Sequence, residues 1–258
     1  MENISKQENK TGKKIFGLGI YEFTLLVLDI LSVIFVFIFF DKSWLSFSCS
    51  LIGCFAILFL AKGYFFAPAV NIVYDILYII LSYTQKYFGE AIIYLTVTMP
   101  IELYACFSWR KSKSKKNNEI VINKLSKKEW IIFTACSISL AVGAFFVLRA
   151  IGTDEVFVST LSFITLAMAG YLVLRKNNYY SLVYSCNDAI CAVLWTLTLI
   201  KGDTSCLPIA VNFSFNFLIE FYGFFHLRKL AKQQEKSLQK EETKNKNPED
   251  QEQQILSS

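Results

Sequence analysis

The sequence predicts an all-α membrane protein of eight transmembrane helices: one extra N-terminal helix, then two parallel three-helix repeats joined by a linker helix (1 + 3-1-3). Three observations lead there. The 258-residue chain is 54% hydrophobic and 16% aromatic, far more apolar than a soluble domain, and its 18% charge lies mostly at ends and between apolar runs. Apolar runs of membrane-spanning length fall at about 16–40, 44–62, 63–83, 90–109, 130–149, 155–174, 179–200 and 207–227. The stretch Ile101-Glu102-Leu103-Tyr104-Ala105-Cys106-Phe107-Ser108-Trp109-Arg110-Lys111 returns 118 residues later as Ile219-Glu220-Phe221-Tyr222-Gly223-Phe224-Phe225-His226-Leu227-Arg228-Lys229.

Both copies of that stretch close an apolar run and open a basic segment, so both exit the membrane on the same side. A repeat restored in the same orientation is related by an axis along the membrane normal, and transporters with substrate between their halves are the main class so built. Parallel three-helix halves need an odd linker, and the fifth run supplies it. The expected organisation is a tail over 1–14, the extra helix in 15–43, the first repeat in 44–109 and a basic loop over 110–128. The linker follows in 129–150, the second repeat in 151–227 and a Lys-, Glu- and Gln-rich tail over 228–258, expected to be disordered.

Charge sets the orientation. Lys6, Lys10, Lys13 and Lys14, Lys62, the 110–128 loop, Arg175-Lys176 and the tail from Arg228 hold nearly all the positive loop charge on one side. The positive-inside bias makes that side cytoplasmic, so a multi-pass protein of the cell membrane with both termini in the cytoplasm is expected. The formal net charge of +5 therefore reflects topology rather than nucleic-acid binding. The first run is too long for a signal-peptide core and is expected to stay as an anchor. Seven cysteines lack C-x-x-C spacing, and no H-E-x-x-H, G-x-S-x-G or P-loop occurs, so neither an enzyme nor a cofactor is expected.

Polar residues inside the runs form helical stripes. Asn71, Asp75, Tyr78 and Ser82 share one face of the third run, and Tyr180, Tyr184, Asp188, Cys191 and Trp195 one face of the seventh. On the eighth run Asn212, Asn216, Glu220 and Gly223 align, and on the fourth Thr98, Glu102 and Trp109 do, with Pro100 set to kink the helix. Asp75, Glu102, Asp188 and Glu220 are expected to converge near the repeat axis. No Lys or Arg lies deep in any run to pair with them, so they are protonated, hydrated or matched to a cationic ligand. Aromatics beside carboxylates suit a flat cationic heterocycle. Interhelical glue is the competing role for Asn71, Asn187, Asn212 and the serines. Glu22 and Asp29, outside the repeat, are expected to make packing or lateral contacts, and His226 to sit at the interface.

At this point the chain resembles the PnuC family of nicotinamide riboside transporters over about residues 55–230. The resemblance rests on Gly63-Tyr64-Phe65-Phe66, Tyr87-Phe88-Gly89-Glu90, Pro100-Ile101-Glu102, Phe107-Ser108-Trp109-Arg110-Lys111, Arg175-Lys176, Asn187-Asp188-Ala189-Ile190, Leu194-Trp195 and Tyr222-Gly223-Phe224. It implies a SWEET-like three-one-three fold, uniport of a vitamin-like nucleoside, a homotrimer with one pathway per protomer, and trapping by intracellular phosphorylation. The family's W-x-x-W pair falls on Ser181-Leu182-Val183-Tyr184, its Asn or Asp on Asp188, its Gln after the helix-four proline on Glu102, and its Asn-Trp on His226-Leu227. The candidate substrate residues are therefore Tyr184, Asp188, Glu102, Asn71, Asp75, Ser181, Tyr180, Asn212, Asn216, Glu220 and Trp195. The expected ligand is nicotinamide riboside, with thiamine, riboflavin or deoxynucleosides as alternatives. A membrane enzyme and a non-transporting assembly or sensor subunit are the competing classes.

Overall fold

The computed structural model describes residues 19–40, 42–113 and 118–256, with side chains as far as Gln239. Eight membrane-length helices run through the described residues. They are α1 (Ile20–Phe39), α2 (Trp44–Ala61), α3 (Ala67–Thr84), α4 (Phe88–Lys111), α5 (Lys127–Ala150), α6 (Val156–Leu174), α7 (Tyr179–Ile200) and α8 (Leu207–Leu256). Each of the eight apolar runs is one helix, because in hydrocarbon the backbone satisfies its polar groups only by bonding within its own segment.

Six of these helices close a ring. α2 packs on α3, α3 on α4, α4 on α6, α6 on α7, α7 on α8, and α8 back on α2. The other two lie outside it: α1 lies across α2 and α8, and α5 packs on α6. Opposite helices of the ring, such as α3 and α7, face each other across its interior, where polar stripes escape lipid.

The turns 62–66, 112–113 and 175–177 gather on one face, joined by an extended segment, residues 118–124. Ile120 N donates to Gly63 O at 2.9 Å, Phe65 N to Asn118 O at 2.9 Å, Val121 N to Ser112 O at 3.1 Å and Asn123 N to Lys176 O at 3.0 Å. Ile120 is fully buried beneath the segment. Gly63 adopts φ +66°, which brings its backbone within reach of Ile120; a Cβ there would also press Leu227 Cδ2 at 3.0 Å. Residues 118–124 of the basic loop thus form a belt tying the helix ends together.

The tail expected to be disordered departs from that expectation: α8 runs unbroken to Leu256. Composition alone predicts disorder for a chain that must nucleate its own helix. Here the membrane helix supplies the nucleus, and Lys, Glu and Gln then propagate it at little cost. The belt also holds it, since Gln234 donates from Nε2 to Ile120 O and accepts at Oε1 from Ile122 N, both at 2.9 Å, and Lys124 pairs with Glu235 at 2.9 Å.

A second departure concerns charge. Lys62, at the end of α2, is 7% exposed and its Nζ lies 2.9 Å from Glu22 Oε1 of α1. Glu22 also accepts from Gly19 N at 2.8 Å. One cation is therefore buried after all, on the flank where α1 docks. On the face opposite the belt, Lys201 pairs with Glu155 at 3.0 Å and Asp154 at 3.4 Å, and the Glu155 hydrogen bond holds its ammonium above the usual range.

Removing one member of a buried pair strands the other. Lys62→Met is expected to destabilise the protein by about 3–5 kcal/mol, and adding Glu22→Gln to recover most of that loss. Thermal unfolding in detergent measures both; equal stability of the single variant and wild type would contradict the pairing.

Candidate functional site

The interior of the ring holds one small cavity, and every ring helix contributes to it: Ile57 and Leu60 of α2, Asn71, Tyr74 and Asp75 of α3, Tyr94, Thr98 and Glu102 of α4, Leu166 of α6, Tyr184, Asn187 and Asp188 of α7, and Phe213 of α8. Its volume is about 20 Å³, room for roughly one water molecule. A ring-sized ligand therefore requires these helices to part.

The fourth helix changes its winding just before its proline, within the segment that lines the site. Pro100 has no N–H for the preceding turn, and over Tyr94–Thr98 the helix widens to a π turn in which Met99 N bonds Tyr94 O. Tyr94, Thr98 and Glu102 line the cavity from either side of that turn.

Three carboxyl groups from three helices meet here. Asp75 Oδ2, Glu102 Oε2 and Asp188 Oδ2, together with the Tyr74 hydroxyl, are buried without a hydrogen-bond partner among the described residues. No Lys, Arg or His lines the cavity. Of the four acids expected to converge, Asp75, Glu102 and Asp188 line the cavity with Tyr184, and Glu220 does not. The pocket thus offers unpartnered acceptors and an aromatic ring with no cationic side chain.

Of the sequence candidates, Asn71, Asp75, Glu102, Tyr184 and Asp188 line the cavity. The others lie around it. Tyr180 donates to Leu60 O at 2.7 Å, with its ring 6.5 Å from that of Tyr184. The Ser181 hydroxyl bonds the Glu220 carboxylate and donates to Glu220 O at 2.8 Å, while Glu220 Oε1 has no partner. Asn212 faces away from the cavity and donates to Asp29 Oδ2 of α1 at 3.1 Å, and Asn216 donates to Asn212 Oδ1 at 3.2 Å. Trp195 lies two turns beyond Asp188 and donates to the Tyr78 hydroxyl at 3.1 Å. Asn71 spends its amide N–H groups on Ala67 O at 3.0 Å and Ala56 O at 3.4 Å.

Several cavity residues escaped the sequence reading. Asn187, assigned to glue, does both jobs: its Oδ1 accepts from Thr165 at 2.8 Å and Ser162 at 3.1 Å while its side chain lines the cavity. Tyr74 and Tyr94 line the cavity and lie in apolar runs, outside the polar stripes. Glu90, the first residue of the fourth run and outside the cavity lining, is fully buried.

The family model described as "Nicotinamide mononucleotide transporter" matches residues 43–229, most of the chain. The chain belongs to this family. The nicotinamide riboside transporter PnuC of Neisseria mucosa is 24% identical over 216 residues, covering 81% of this chain and 80% of its own. The crystal structure of the vitamin B3 transporter PnuC has the same fold, with a TM-score of 0.75 at 21% identity, covering 85% of this chain and 95% of that one. The match to the nicotinamide mononucleotide transporter family takes in all six ring helices and α5, and leaves α1 outside it.

Close packing beside the Ser181–Glu220 pair generates a test. A Cβ at Gly223 would lie 2.6 Å from both Ala61 Cβ and Ser181 Oγ, and 3.0 Å from Ala61 Cα, whereas one at Gly143 of α5 meets nothing within 4 Å. Gly223→Ala is expected to cost about 1–3 kcal/mol by forcing α8 off α2 and α7. Gly143→Ala should be neutral or slightly stabilising. Melting curves in detergent compare them, and equal behaviour would contradict the packing.

Proposed function

We propose that this protein imports nicotinamide riboside across the cell membrane by facilitated, alternating exposure of the cavity enclosed by α2, α3, α4, α6, α7 and α8. One observation carries the reading: three buried carboxyls from three helices line that cavity, unpartnered and with no cationic side chain. Nicotinamide riboside carries a permanent pyridinium charge on a flat ring, which supplies the missing counter-charge and stacks on Tyr184.

The same chemistry selects the nucleoside over its nucleotide. A phosphate needs Arg, Lys or a helix N-terminus, and the one buried lysine among the described residues, Lys62, is already paired with Glu22 outside the ring. Burying a dianion beside Asp75, Glu102 and Asp188 costs several kcal/mol. Thiamine, also a fixed aromatic cation, is the second reading, favoured by the single Tyr184 where the related family carries two tryptophans. Riboflavin and deoxynucleosides lack the charge and leave the acids unmatched.

Further proposals complete this reading. The protein works without catalysis or cofactor, and phosphorylation of the product inside the cell keeps it there. The belt face, with both termini, is cytoplasmic, in keeping with the lysines and arginines gathered there. The two halves are parallel repeats, and a homotrimer has one pathway per protomer. Exposed Ile131, Ile132, Ile138 and Phe146 of α5 are available for lipid or for a second copy.

Uptake into proteoliposomes of labelled nicotinamide riboside, thiamine, nicotinamide mononucleotide, riboflavin and thymidine tests the reading. Saturable uptake of nicotinamide riboside is expected, with at least tenfold discrimination against the mononucleotide, equivalent to about 1.4 kcal/mol. Equal transport of the mononucleotide, or uptake of neutral compounds alone, would overturn it.

A further inference from the structure

Glu90 lies outside the central cavity, on the first turn of α4 near the face opposite the belt. Its side chain is fully buried, and its Oε1 has no hydrogen-bond partner among the described residues. Its Oε2 accepts from the Tyr78 hydroxyl at 3.3 Å, and the Ser162 hydroxyl of α6 lies beside the same carboxyl. None of the described ion pairs includes it.

Aromatic rings connect Glu90 to the cavity. The Tyr78 ring centroid lies 4.4 Å from that of Tyr94 and 5.6 Å from that of Tyr74, and both of those tyrosines line the cavity. Trp195 closes the other side, 5.9 Å from Tyr78 and 5.2 Å from Tyr87. Tyr78 thus touches both Glu90, through its hydroxyl, and the two tyrosines that line the cavity, through its ring. On the belt side of the cavity Glu220, held by Ser181, is likewise buried with one oxygen unpartnered.

A carboxylate that only glued helices would have its partners in place, because an unmet buried acceptor is costly. A cation crossing the hydrocarbon needs counter-charge along its whole route and not at one point, or the barrier rises between the site and either face. We propose that Glu90 is a transit station for a cationic ring moving between the central cavity and the face opposite the belt, with Tyr78, Tyr94 and Trp195 as its walls. This rests on the proposed function, since it presumes that the cargo is a cation. Glu90 then sets the rate of cation passage and leaves the affinity of the central site nearly untouched.

The test compares nicotinamide riboside with its reduced, uncharged form in proteoliposomes, and reads affinity separately by calorimetry on the purified protein. In Glu90→Gln, uptake of the cation is expected to fall on the order of tenfold more than uptake of the neutral form, with the calorimetric affinity for the cation changed by less than about threefold. Glu90→Asp, which keeps the charge, should recover most of the cation rate. Equal losses for the two compounds, or a loss of affinity matching the loss of rate, would overturn the proposal. If Glu90→Gln aggregates, Tyr78→Phe removes only the hydroxyl that holds the carboxylate; a selective loss for the cation supports the station, and an equal loss overturns it. Wild-type protein that carries neither nicotinamide riboside nor thiamine would refute the functional reading itself, and this inference with it, before any variant is compared.

Discussion

Carboxyl groups buried without a cationic partner are the constraint around which this molecule is arranged. Asp75, Glu102 and Asp188 lie on three different helices of a ring, each with an oxygen that finds no partner among the described residues. In hydrocarbon such groups are tolerated only where they face a protected interior. The closed order α2–α3–α4–α6–α7–α8 provides that interior, and its lipid-facing surfaces are left to Ile, Leu and Phe. The ring has room for about one water molecule, so the structure presents the site shut, with its acids close and unmatched.

What holds the ring shut lies at its edges. The belt of residues 118–124 bonds the turns after α2, α4 and α6 as well as the extended α8, so one short segment spans helix ends from all around the ring. Any opening on that face must stretch or carry this segment. α1 is fastened separately, through Lys62–Glu22 at one level and Asn212–Asp29 at another. These polar fasteners sit on the flank of α2 and α8, and they engage Asn212 in the docking of α1.

Much of the fold was legible because the membrane imposes length and period on a sequence. Eight apolar runs gave eight helices, and the stripe of Asn71, Asp75 and Tyr78 faces inward as its spacing requires. Pro100 announced the distortion in α4, though its form, a π turn over Tyr94–Thr98, depends on which carbonyl the missing N–H leaves free. The site was legible to the extent that acids at mid-membrane are rare. Spacing showed that Asn212, Asn216 and Glu220 share a face, yet not that α1 would claim one end of it. Tyr74 and Tyr94 carry no signal among apolar neighbours, and Glu90 stands at a run boundary. The helical tail was missed because composition describes a free chain and not one continuing a preformed helix.

The most direct measurement is calorimetry of Asp188→Asn and Glu102→Gln with nicotinamide riboside and with its reduced, uncharged form, after size-exclusion has verified folding. If the carboxyls serve as counter-charge, the cation should lose roughly 1–3 kcal/mol, tenfold or more in Kd, while the neutral form loses much less. Equal losses for both compounds would mean that the acids act as hydrogen-bond acceptors or helix glue, and would contradict the account.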